Sequence, residues 1–238
     1  MKKYCFTGET IDHYGVTLHR IKALIDIPNF GVKAGDLGGW IEKEENLSHD
    51  GEAWVMNEVK VYADARVYGD ARICDNAQIY GKAQVYGHAW VHSNAIVYGK
   101  AEVFHYAEIC GNAQVYGCAR VFDHTKICGN AKIHGKAWVY GRTFIHGKAR
   151  VYDDARIYNQ AEVCGDAEVY DNAQVCGEAI VYNDALIYDE AIVSGHASVY
   201  NYAQVYGNAR VSGEATIYGK AKVFGKTQVS GDREVCTF

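Results

Sequence analysis

From residue 51 to residue 236 the chain repeats one six-residue phrase 31 times without an insertion. Written from its first residue the phrase is Gly-x-Ala-x-Val-Tyr, as in Gly81-Lys82-Ala83-Gln84-Val85-Tyr86. The fifth place is Val or Ile in every copy, from Val55 to Val235. The third is Ala in 26 copies, the exceptions being Val59, Thr125, Thr143, Thr227 and Arg233. Ala and Val/Ile sit two apart, so an extended strand turns both to one face. The residue between them, such as Arg120, Lys132 or Glu168, points to the other face. Val, Ile and Tyr favour strands, while Gly, Asn and Asp favour the turn that follows. A helix needs apolar spacings of three and four, which a strict period of six does not sustain. Short strands with a turn every six residues describe a parallel β-helix.

The phrase resembles that of the hexapeptide-repeat family, the left-handed parallel β-helices of the LpxA-like superfamily, over residues 51–236. That resemblance implies an all-β triangular solenoid in which three hexads make one coil and residues eighteen apart stack. Thirty-one hexads then give roughly ten coils, a rod of about 50 Å at about 4.8 Å per strand layer. One departure stands out. The family places Gly or another small residue directly after the aliphatic, whereas here Tyr, Cys or Phe most often stands there and Gly follows one place later.

Residues 1–50 break the phrase and are expected to form a small N-terminal β cap on a solenoid of residues 51–238. An uncovered first coil would offer unpaired backbone groups to other chains. Leu18-His19-Arg20-Ile21-Lys22-Ala23-Leu24 predicts a strand, and Asp36-Leu37-Gly38-Gly39-Trp40-Ile41-Glu42 a tight turn before an aromatic. This segment resembles the start of YdcK-type hexapeptide proteins. The likeness runs through Leu18, Arg20-Ile21, Ala23-Leu24-Ile25-Asp26, Gly38-Gly39-Trp40, Glu42 and Asn46-Leu47-Ser48. Those proteins are often labelled acyltransferases, a label that rests on the shared fold. Gly38-Gly39 opens no helix, so it is not read as a phosphate loop. At the far end no helix closes the last coil. Arg233, a charge at an inward place, is expected to blunt that edge.

One Pro and 25 Gly in 238 residues suit one elongated domain. No apolar run is long enough to cross a membrane, and no signal peptide is visible after Lys2-Lys3-Tyr4. Of the eight Cys, all but Cys5 lie within the repeat, mostly at its sixth place, which points to a reducing cytoplasm rather than a disulfide framework.

Stacking at eighteen residues turns the sixth places into three columns. One reads Tyr62, Tyr80, Tyr98, Tyr116, His134, Tyr152, Tyr170, Tyr188, Tyr206 and Phe224. A second reads Tyr68, Tyr86, Phe104, Phe122, Tyr140 and Tyr158 before passing to Cys176 and serines. Such aromatic ladders stiffen a thin solenoid, each pair contributing about 0.5–1.5 kcal/mol beyond burial, and they also offer a binding face. The third column holds Cys74, His92, Cys110, Cys128, His146 and Cys164 in succession. His92, Cys110, Cys128 and His146 are its candidate metal ligands. Against this, side chains in one column point in parallel, while tetrahedral ligation requires convergence, and Cys also packs there as a small soft residue. At the outward mid-strand place Ile180, Leu186 and Ile192 follow in consecutive hexads, an apolar girdle that suggests a contact surface. Trp54, Trp90, Ile96, Trp138 and Phe144 are the other large apolar residues there.

Residues 117–150 carry a net charge of +6 and residues 151–200 a net of −9, within a chain that nets −5. Opposed bands favour a complementary protein surface and disfavour nucleic acid. The hexapeptide resemblance implies an acyltransferase with a coenzyme A thioester donor and a general-base histidine in a cleft between subunits of a trimer. Of the repeat histidines, His124 between Asp123 and Thr125 is the least arbitrary candidate base. No interrupting loop, nucleophile elbow or phosphate loop accompanies it. The reading favoured by the residues is therefore a non-catalytic scaffold without cofactor. Its ladder (Tyr62, Tyr80, Tyr98, Tyr116, Tyr152, Tyr170, Tyr188, Tyr206) and girdle would meet a protein partner or further copies of itself, as a trimer or end to end. Acyl transfer is the alternative. A third is capture of a small ligand between subunits, as in an accessory protein of a phage or mobile element.

Overall fold

The computed structural model describes residues 2–237. The chain forms two compact units, the first ending at Gly117 and the second starting at Cys118. In both the architecture is a parallel β-solenoid, and its geometry begins at the first place of each hexad. Nineteen of those residues are Gly, with φ between 65° and 86°, and the other twelve have φ between 51° and 64°. All 31 therefore occupy the left-handed region, which explains why Gly follows the corner side chain by one place. Of the twelve, nine are Asn or Asp, the residues that tolerate this conformation best. Some of the aspartate carboxylates gain a second role. Asp75 accepts the N–H of Ser93 at 2.9 Å and Asp189 that of Gly207 at 2.9 Å, each tying a corner to the next coil.

Between corners run strands that are mostly two residues long. Eleven lie in the first unit, from Trp54–Val55 to Gln114–Val115, and twenty in the second, from Arg120–Val121 to Glu234–Thr237. Pairing is parallel with a shift of eighteen, as Trp90↔Glu108 and Lys132↔Arg150 show, so three hexads make a coil. Ala and Val/Ile of the third and fifth places fill the interior, nearly all at 0–1% exposure. Each aliphatic removed from water contributes on the order of 1.5–3 kcal/mol before entropy is counted. Thr125 and Thr143 stand where Ala is usual and are equally buried. Their hydroxyls lie 3.1 Å apart, and that of Thr125 donates to the Phe122 carbonyl at 2.8 Å, so neither exception leaves an unsatisfied group.

The cap is a mixed sheet. β1 (Tyr4–His13) and β2 (Val16–Ala23) form an antiparallel hairpin closed by Tyr14 and Gly15, both at positive φ. β3 (Leu37–Ile41) pairs antiparallel with β2 and parallel with the Lys60–Val61 strand, passing the cap into the first coil. Two expectations need correction. Gly38-Gly39 is not a turn but the middle of β3, and its glycines are demanded by close packing. A Cβ on Gly38 would stand 2.6 Å from Ile21 Cγ1 and 2.8 Å from Trp54 Cζ2, and one on Gly39 2.9 Å from the Val59 carbonyl oxygen. Trp54, placed outward by the repeat, is fully buried because the cap covers the first coil on that side. Tyr4 lies edge-on to Trp54 and stacked on His49, and its hydroxyl donates to the Leu47 carbonyl at 2.8 Å. Asn46 is buried, and its amide donates to the carbonyls of Ala63 and Ala65. At the other end Arg233 occupies an inward place by register yet is exposed, as is Thr227, because no further described coil covers them.

Candidate functional site

The sixth-place side chains leave each strand at the corner and stack by simple translation. In the first unit Tyr62, Tyr80, Tyr98 and Tyr116 follow one another with centroids 4.7–5.0 Å apart and planes within 10°. In the second, His134, Tyr152, Tyr170, Tyr188, Tyr206 and Phe224 do so at 4.9–5.4 Å. The spacing is the strand-to-strand distance of about 4.8 Å, so the backbone sets the stack. A second series runs Tyr68, Tyr86, Phe104 in one unit and Phe122, Tyr140, Tyr158 in the other. The predicted ladder tyrosines are all half-buried. Burial pushes the Tyr62 and Tyr170 phenols up to about 12. Burial and the Glu168 carboxylate, which accepts from the Tyr152 hydroxyl at 2.8 Å, push Tyr152 higher still.

Ile180, Leu186 and Ile192 lie on three different faces. Their strand neighbours are Glu162 and Ser198, Glu168 and Gln204, and Gln174 and Arg210 respectively. Polar residues thus bracket each one, and the three do not merge into one apolar surface. The charge bands meet through exposed pairs on adjacent coils, Lys148 with Asp166 at 3.7 Å and Arg150 with Glu168 at 3.1 Å. Such pairs fix register more than they stabilise.

Asp123, His124 and Thr125 differ in placement. The Thr125 hydroxyl points into the core, the Asp123 carboxylate accepts the Gly141 N–H, and the His124 side chain is exposed. His134 belongs to the ladder, and burial lowers its affinity for a proton. His88 and His196 each face one carboxylate a coil away, Asp70 at 3.8 Å and Glu178 at 3.3 Å. Two open grooves lie on the described surface, one beside the cap lined by Glu44, Leu47, His49, Arg66, Tyr68 and Gln84, another along Gly141, Arg142, Gln160, Glu178 and His196.

The third column behaves differently from a row of parallel side chains. His92, Glu108 and Cys110 bring their donor atoms within 4.8 Å of one another, and so do His146, Glu162 and Cys164. Convergence comes from the glutamate. It projects from the outward mid-strand place of the next coil and reaches back to the imidazole, with Nε2 to Oε1 distances of 3.3 Å and 2.9 Å. Trp90 stacks on His92 at 4.2 Å and Phe144 on His146 at 4.3 Å, both at 26°, fixing each ring. Column reasoning found His92, Cys110 and His146 but missed Glu108 and Glu162, and Cys128 belongs to neither triad. The missed signal is a 54-residue period. Arg72-x-Cys74, Trp90-x-His92 and Glu108-x-Cys110 are followed by Lys126-x-Cys128, Phe144-x-His146 and Glu162-x-Cys164.

These features define a hexapeptide-type parallel β-solenoid. Residues 203–219 match the model of the YdcK β-solenoid repeat. No curated protein matches the chain. No helix among the described residues is long and apolar enough to cross a membrane.

Proposed function

We propose that the chain is a non-catalytic β-solenoid that displays its aromatic ladders and opposed charge bands to a protein partner or to further copies of itself in the cytoplasm. The observation that carries this reading is the ladder: rings in register and half-buried. A rigid row of amphipathic rings gives contact area at low cost in conformational entropy, because the backbone has already ordered it. The histidines support the same reading, since His88, His92, His146 and His196 each face a carboxylate and His134 stacks within the ladder. Acyl transfer from a coenzyme A thioester is the alternative, and it rests on the likeness of fold alone.

Native mass spectrometry of the protein taken gently from cell extract, with thioester consumption followed in parallel, tests the proposal. A complex with a defined protein, or a ligand-free homo-oligomer, without turnover of acetyl-coenzyme A over a range of acceptor amines and hydroxyls, is the expected result. Retention of coenzyme A at a subunit boundary, or sustained thiol release with any acceptor, overturns it in favour of the enzyme.

A further inference from the structure

We infer that the triads His92–Glu108–Cys110 and His146–Glu162–Cys164 are twin binding sites for a borderline-soft divalent metal ion such as zinc. Each offers one imidazole nitrogen, one carboxylate oxygen and one thiolate sulfur. Metal bonds of about 2.0–2.3 Å put tetrahedral donors roughly 3.3–3.8 Å apart. The donors already lie within 4.8 Å of one another, and imidazole and carboxylate within 3.3 Å and 2.9 Å, so small side-chain rotations complete the set. A mixed nitrogen, oxygen and sulfur set suits zinc or cobalt and excludes calcium and magnesium, which require oxygen cages.

Two independent facts separate these groups from ordinary surface ion pairs. First, the arrangement occurs twice at a spacing of 54 residues, each time with an aromatic ring (Trp90 or Phe144) stacked on the histidine at a 26° tilt. His88 with Asp70 and His196 with Glu178 make similar histidine–carboxylate pairs, yet neither has a cysteine joined to it. Second, neither group lies open on the surface. Cys110 is buried, and Cys164, both imidazoles and both carboxylates are half-buried. The ion would thus sit against the corner, with water completing the fourth coordination position from solvent. The 3.1 Å contact from His92 Nδ1 to the Ser93 hydroxyl holds that ring with Nε2 toward the site, as second-shell partners do. Binding displaces one thiol proton per site: the metal–sulfur bond forms as the S–H bond breaks, and the proton passes to solvent.

The test is titration of the reduced, metal-stripped full chain with cobalt(II), read as thiolate-to-cobalt charge-transfer absorption and as bound metal per chain. The expected result is two ions per chain, falling to one in Cys164→Ser and to none in Cys110→Ser/Cys164→Ser, with Cys176→Ser unchanged. Glu162→Gln keeps the shape of an outward side chain and so guards against misfolding of the cysteine variants. It should weaken one site at least tenfold and leave the other intact. Absence of charge-transfer absorption in the unaltered chain, or its persistence in the double cysteine variant, overturns the inference.

Discussion

Ala63 and Gly177 occupy the same place in the hexad, both in the left-handed region, at φ of 56° and 71°. Exchanging each for the other's residue should move stability in opposite directions. The left-handed region costs a residue with a Cβ about 1–2 kcal/mol, partly offset because alanine has less freedom to lose from the unfolded chain, by about 0.4–1 kcal/mol. Ala63→Gly should therefore stabilise by about 0.5–1 kcal/mol. The native strain at Ala63 is held by the cap: the Glu42 carboxylate accepts its N–H, and the Asn46 amide donates to its carbonyl at 3.0 Å. Gly177→Ala pays the same torsional cost and adds a steric one, because its Cβ would stand 2.8 Å from both the N and O of Gly195. Those are backbone atoms of the next coil, so relief requires a shift of the coil. Overpacking of that kind costs about 1–3 kcal/mol, giving a net loss of about 2–3 kcal/mol. Urea denaturation followed by circular dichroism reads both. With a slope of about 2–3 kcal/mol/M, Gly177→Ala should lower the midpoint by about 1 M and Ala63→Gly raise it by a few tenths. Gly177→Asn separates the two terms, since it keeps the contact but tolerates the torsion. A lowered midpoint for Ala63→Gly, or no difference between Gly177→Ala and Ala63→Gly, refutes the account of the corners.

Thr125→Ala should cost about 1–2 kcal/mol by leaving the buried Thr143 hydroxyl without its neighbour, and the double change to Ala should recover most of that, a non-additivity visible in urea midpoints. Tyr152→Phe removes the hydroxyl bond to Glu168 but keeps both ring stacks, so it should cost about 1 kcal/mol, while Tyr152→Ala breaks the ladder and costs clearly more in the same assay. The ladder also sets an alkaline limit. Tyr62 and Tyr170 ionise at about 12 against 10.0 for an ordinary tyrosine, so burial disfavours their phenolates in the folded chain. Below pH 10 both states stay protonated and stability is unaffected; above it the unfolded chain sheds protons first, so stability falls as pH rises toward 12. Denaturant midpoints should drop steadily through that window, with phenolate absorbance rising sharply at unfolding. Phenols that titrate at 10 in a still-folded chain would sink this explanation.

The solenoid was legible in the sequence because its three constrained places are filled with little exception. Val55 to Val235 and the 26 alanines specify the inward face by alternation alone, and the stacking of Tyr62 on Tyr80 follows from the period. Position by position, the cap was less legible. Gly38 and Gly39 look like a turn to any local rule, and only the contact of β3 with Ile21, Trp54 and Val59 shows that they are small for lack of room. Trp54 has an outward place in the repeat but lies under a segment that follows no repeat, so its burial depends on long-range packing. The triads fall between these cases. Each half is visible in one column, yet the glutamate belongs to a different place in the hexad and to the next coil. A search along single columns therefore passes over it.

That division shows where a chain of this kind can carry function. The first place of the hexad is held by the left-handed torsion, and the third and fifth by a core too thin for a larger or polar group unless paired, as Thr125 and Thr143 are. Only the second, fourth and sixth places are open to chemistry. The sixth is largely used by the ladders, so specificity must arise where a fourth-place side chain on one coil meets a sixth-place side chain on the coil before it. The parallel register brings such residues together at a sequence separation of sixteen, as in His92 with Glu108, His146 with Glu162 and Tyr152 with Glu168. A reader of such sequences should therefore look along the diagonal, sixteen residues apart, as well as down the column at eighteen. On that diagonal a carboxylate beside a tyrosine makes a structural hydrogen bond. The same carboxylate beside a histidine, with a cysteine two residues further on, makes the start of a metal site.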